Sequence, residues 1–178
     1  MESKVKLLGH PVHPMLIVLP LGLLSSAVIF DIVRLVSGQD VFSTIAFWDM
    51  GLGILGGLLA AIFGLIDWLN IPGGTRAKRI GLFHGGGNVV VVTLFAVSWL
   101  IRLAADNYEP GAVAYIFSFA GVALASVTAW LGGELVDRLG VGVDTGANLD
   151  APNSLSGEPA TNVVASGGAD RAAYQPRR

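Results

Sequence analysis

The chain holds three histidines, His10, His13 and His84, and each stands in a setting where an imidazole can do chemistry. His10 and His13 lie three apart in HPVHP, and His84 lies in GLFHGGGN with Asn88 one helical turn further on. Neutral imidazoles ligate iron, zinc and manganese, and two of them on different helices can grip a haem iron from opposite sides. Carboxylates stand at the ends of other apolar segments: Asp67 closes one, and Glu134 and Asp137 follow another. Two ligand sets follow. His10, His13 and His84 with Asp67 and Glu134 match a divalent metal. His13 and His84, with Asn88 as a hydrogen-bonding neighbour, match haem b. Either centre fits membrane electron transfer. The plainer alternative is a wet helix end, with Asp67 paired to Arg76 or Arg79 and the imidazoles capping helices or bonding within the bundle.

The elements that must position these residues are membrane-crossing helices. Of 178 residues, 53% are hydrophobic and only 13% charged, about half the charged share of an ordinary soluble domain. Mean hydropathy is +0.66. Four apolar runs, residues 15–36, 41–69, 80–103 and 112–131, are each long enough to span, since about 20 residues cross the hydrocarbon core. Valine-rich pieces do not make strands here, because an open sheet edge is forbidden in lipid. Short connections force neighbouring helices antiparallel. The expected fold is all-α: a four-span antiparallel bundle over residues 1–139, with a flexible tail over 140–178. No internal repeat is evident.

Lys4, Lys6, Arg76, Lys78, Arg79 and Arg138 all flank one end of the predicted bundle, the end that carries the histidines. Positively charged flanks face the cytoplasm, so both termini are expected there, in an inner or plasma membrane. At the other end, Asp31 and Arg34 sit three apart and are expected to pair locally. No ladder of ionisable groups joins the two ends, which disfavours a proton channel or an ion-coupled transporter. A small-solute or metal transporter and a non-catalytic scaffold or accessory subunit stay open as alternatives. Gly53 with Gly57, and Gly81 with Gly85, have the spacing that lets helices approach closely. A net charge of -2 gives no footprint for nucleic acid. The absence of cysteine removes disulfide and thiolate chemistry and iron–sulfur ligation by the chain itself. Expected partners are the lipid bilayer, a second copy of the chain, or a redox protein.

Four motifs carry a family resemblance: LLGHPVHPMLIVLPLGLL at the start, DWLNIP after the second run, GLFHGGGNVV on the third, and WLGGELVDRLGVGV after the fourth. On these, across residues 7–143, the chain resembles the DUF2231 family of small integral membrane proteins. The resemblance implies a four-span architecture and marks His10, His13, Asp31, Asp67, His84 and Glu134. Some relatives are joined to Rieske-type iron–sulfur domains, which implies a redox setting with a b-type haem or a quinone as partner. This chain lacks cysteine, so an iron–sulfur partner would be a separate protein.

Overall fold

The computed structural model describes residues 1–163. A two-stranded hairpin opens it, β1 (Lys6–Leu7) paired antiparallel with β2 (His10–Pro11). Leu8 and Gly9 turn it with φ of 51° and 83°, the left-handed pair that a two-residue hairpin turn needs. Then come α1 (Val12–Leu16), α2 (Val18–Ser37), α3 (Val41–Asn70), α4 (Arg76–Leu103) and α5 (Ala112–Gly133), which runs on through a π-helical turn at Glu134–Arg138. α1 and α2 together form one span, Val12–Ser37. The break at Ile17 follows from Pro20, whose missing N–H cannot bond to the Leu16 carbonyl. All four spans are long and apolar enough to cross a membrane, so this is a multi-pass membrane protein.

Two spans begin earlier than their apolar runs. α4 starts at Arg76 because Thr75 caps it, accepting the Lys78 N–H at 3.1 Å, just after Pro72-Gly73-Gly74 has turned the chain. The first span starts at Val12, behind Pro11.

α2 packs chiefly on α3 and α4 on α5, with α3 against α4 and α2 against α5 closing the ring. α2 and α4 therefore face each other across a diagonal. Leu24, Ala27, Val28, Ala46, Met50, Val91 and Phe95 fill the centre. The outward faces keep large apolar side chains such as Leu55, Ile62, Phe83 and Ile116, as lipid contact requires.

The bundle is internally duplicated, contrary to the sequence expectation. The 71 positions that separate Asp31 from Arg102 also separate His13 from His84 and Leu24 from Phe95. A second constant shift carries Ala46, Met50, Gly53, Ala60 and Gly64 onto Ala114, Ser118, Gly121, Thr128 and Gly132. The packing repeats as well. A side chain at Gly53 would run into Leu24, and one at Gly121 would run into Phe95. The two helical hairpins are thus related by a pseudo-twofold axis along the bundle.

That axis is crossed by a buried ion pair. Arg102 donates through both terminal nitrogens to Asp31 at 2.7 Å each, and both side chains are wholly buried. Ser118 donates to Asp31 Oδ2 at 3.0 Å, and Arg102 Nε donates to Ser98 Oγ at 3.3 Å. The expected local pairing of Asp31 with Arg34 is therefore corrected. Arg34 bonds instead to Glu109 at 2.8 Å and Asp40 at 2.9 Å, on the rim of the bundle.

At the opposite end, residues 140–163 form turns that lie against the N-terminal segment. Gly142 N–H donates to Met1 O at 2.8 Å, Thr145 N–H donates to Glu2 at 3.1 Å, and Lys6 pairs with both Asp144 and Glu2. The tail was expected to be flexible over 140–178; residues 164–178 lie outside the described part.

Two predictions follow from this architecture. Asp31→Asn or Arg102→Leu strands one buried charge and is expected to cost about 3–5 kcal/mol. The double variant Asp31→Leu, Arg102→Leu is expected to cost less than the singles combined. Unfolding in mixed micelles measures the cycle, and strict additivity would show that the two groups do not interact. The Glu2 carboxyl is lowered from 4.5 to about 2, first by the Lys6 hydrogen bond and then by the Thr145 N–H. Its contribution to docking is complete above pH 4.5 and is lost as pH falls towards 2. The Thr145 amide shift should accordingly titrate near pH 2, and a midpoint at 4.5 would show that the contact does not form.

Candidate functional site

The duplication places His13 and His84 in equivalent seats. His13 Nδ1 lies 2.9 Å from the Ala60 carbonyl on α3, and His84 Nδ1 lies 2.8 Å from the Thr128 carbonyl on α5. A carbonyl only accepts, so each Nδ1 carries a proton, and in the neutral imidazole Nε2 is then the nitrogen with the lone pair. Below each ring is a glycine one turn beyond that carbonyl. A Cβ at Gly64 would sit 2.8 Å from His13 Cε1, and one at Gly132 would sit 3.1 Å from His84 Cε1. Close approach favours glycine at both positions: a side chain at Gly64 would displace the His13 ring, and one at Gly132 would press more lightly on the His84 ring.

The two rings meet across the axis. Their centroids are 6.5 Å apart and their planes stand at 89°. Both side chains are half-buried. His84 lies eight residues into α4, about 12 Å along the helix at 1.5 Å per residue.

Asn88 supports the His84 half only. Its amide nitrogen donates to the His84 carbonyl at 2.9 Å and approaches His84 Nε2 at 3.3 Å. The Thr128 hydroxyl lies 3.0 Å from Asn88 Oδ1. The matching positions in the first half are Ile17 and Ala60, which offer no such groups. The i,i+4 spacing made the His84–Asn88 contact legible. Thr128 and the two glycine seats were missed, and the signal for them was the recurrence of His13 with Gly64 as His84 with Gly132.

The other expected ligands are engaged elsewhere. His10 is exposed, with Nε2 3.4 Å from Ser154 Oγ. Asp67 accepts from Ser3 Oγ at 2.8 and 2.9 Å and from Lys4 N–H at 3.0 Å, in place of the expected Arg76 or Arg79. Glu134 pairs with Arg76. Among the described residues, no group of three or more His, Cys, Asp or Glu is placed to hold a metal ion. The geometry therefore reduces the five-residue metal set to a pair of imidazoles. The glycine spacings divide too: Gly53 meets Leu24 and Gly81 meets Trp68, while nothing lies within 4 Å of a side chain built at Gly85.

What the arrangement offers is two neutral nitrogen donors, oriented by backbone carbonyls as metal-ligating histidines commonly are. The family model described as a predicted membrane protein (DUF2231) matches residues 9–145, so the chain belongs to that family. No curated protein and no solved structure matches.

Seating on glycine is testable by itself. Gly64→Ala is expected to dislodge the His13 ring and abolish the slowly exchanging His13 Nδ1–H resonance. Gly132→Ala, with more room, should shift the His84 signal less. Unchanged imidazole NMR signals in both variants would refute the seats.

Proposed function

We propose that the protein is an integral membrane protein whose functional centre is the His13–His84 pair, binding haem b or a divalent metal (iron, zinc or manganese), with membrane electron transfer as its role where the bound group is redox-active. The observation that carries this reading is the doubled seat. Two imidazoles from two halves of the bundle share one level, each with Nδ1 committed to a carbonyl and Nε2 left as a donor to a ligand. A lone structural histidine needs one such bond; a matched pair facing across an axis suits a shared guest.

The basic residues support an orientation. Lys4, Lys6, Arg76, Lys78 and Arg79 flank the histidine end, which favours both termini in the cytoplasm of an inner or plasma membrane. A redox partner would then reach the centre from that side. The alternative reading, an accessory subunit without a cofactor, draws support from the His84–Asn88–Thr128 network, which satisfies most of its own hydrogen bonds. A transporter is less favoured, because Asp31 and Arg102, the only fully buried charges among the described residues, neutralise each other at the far end.

The reading is checked on the purified full chain. Elemental analysis is expected to find one transition metal per chain, lowered at least tenfold in His13→Ala and in His84→Ala. Metal content at zero, or unaltered in both variants, would overturn it in favour of the accessory subunit.

A further inference from the structure

Beyond the bundle, the chain is laid along its own first ten residues, contact by contact. The Met1 amino group donates to the Gly140 carbonyl at 2.6 Å, and the Met1 carbonyl accepts from Gly142 N–H at 2.8 Å. Glu2 accepts from Thr145 N–H, and Lys6 joins Glu2 to Asp144. Further along, Ser154 Oγ donates to the Leu8 carbonyl at 3.2 Å, at the tip of the hairpin. The packing there is close, since a Cβ at Gly9 would sit 2.7 Å from Ser154 Cβ. These partners all lie within residues 1–10. Among the described residues, no side-chain hydrogen bond from 140–163 reaches a spanning helix.

Residues 1–10 lead straight to one imidazole. Ser3 Oγ and Lys4 N–H fix the segment on Asp67 of α3. Val12 N–H donates to the Val5 carbonyl at 3.0 Å, and His13 is the next residue. α1 is five residues long and has no side-chain cap, so its own helical bonds hold it weakly. His84 stands instead within the long α4, whose start Thr75 caps. Resting on the reading of the His13–His84 pair as the functional centre, we propose that residues 140–163 are a latch on it. Docked along residues 1–10, they hold α1 and the His13 ring in place. When they lift off, His13 is freed to move and His84 is not. The Lys6–Asp144 pair sits at half-exposed side chains, so added salt favours release.

The test uses the full chain in detergent micelles without added metal, read by amide and imidazole NMR. Gly142→Pro removes the N–H that Met1 accepts and cannot adopt the φ of 83° found there. Lys6→Glu turns the ion pair into repulsion, and Lys6→Glu with Asp144→Lys restores it in reverse. In Gly142→Pro and in Lys6→Glu the Thr145 amide is expected to move to its random-coil position. His13 Nδ1–H is expected to exchange roughly fivefold faster or more, with His84 Nδ1–H unchanged. The double variant should bring Thr145 and His13 back. Equal acceleration at His13 and His84 would mean general loosening and would overturn the latch. So would a released Thr145 with His13 unaltered, or a Thr145 amide that keeps its place in both single variants. None of these signals needs a bound metal, so failure of the latch and an empty metal site are told apart.

Discussion

The Asp31–Arg102 pair is the constraint from which the rest of the bundle follows. A charge in hydrocarbon is costly alone and acceptable only when paired with good geometry and further hydrogen bonds. Arg102 meets Asp31 with two parallel bonds, Ser118 adds a third to the carboxylate, and Ser98 takes the remaining guanidinium edge. These contacts need α2, α4 and α5 at one rotation and one height. The pair also spans the diagonal between α2 and α4, so it fixes the centre through which Leu24, Met50 and Phe95 pack.

Its influence reaches the other end of the bundle. His84 precedes Arg102, and His13 precedes Asp31, by five full turns at 3.6 residues per turn. On a straight helix that spacing returns a residue to the same face. Turning Arg102 inward therefore turns His84 inward on the continuous α4. The first span is broken at Ile17, yet His13 still reaches the axis, because the Ala60 carbonyl and the Gly64 seat hold it there. The ion pair thus sets the register in which the imidazoles meet.

The four spans were legible because lipid imposes a length and a composition that few other structures need. The His84–Asn88 neighbourhood was legible because helical spacing is local. The partner of Asp31 was not, since local spacing favoured Arg34, and the choice was decided by Glu109 and Asp40 claiming Arg34 first. The duplication was hidden for a related reason. Its matched positions carry opposite charges at Asp31 and Arg102 and different volumes at Leu24 and Phe95. The two helices of each half also follow different shifts. A pseudo-twofold axis rewards complementary residues at its centre, so the position that best reveals the symmetry in space is the one that conceals it in the sequence. His13 with His84, Gly53 with Gly121 and Gly64 with Gly132 recur unchanged, where a seat or a close approach narrows the choice.

Complementarity at one end and identity at the other divide the work of the bundle. Asp31 and Arg102 are equivalent by position and opposite in charge, so they satisfy one another and leave nothing for a guest. His13 and His84 are equivalent by position and identical in chemistry, and two lone-pair nitrogens cannot satisfy one another. Asn88 relieves this in the second half through a long contact to His84 Nε2, while Ile17 offers no counterpart to His13. The first half therefore keeps an acceptor without a donor from its own seat. The two fully buried charges among the described residues are thus cancelled at the far end, while at the histidine end Asp67 stays with Ser3 and the Lys4 N–H and Glu134 stays with Arg76.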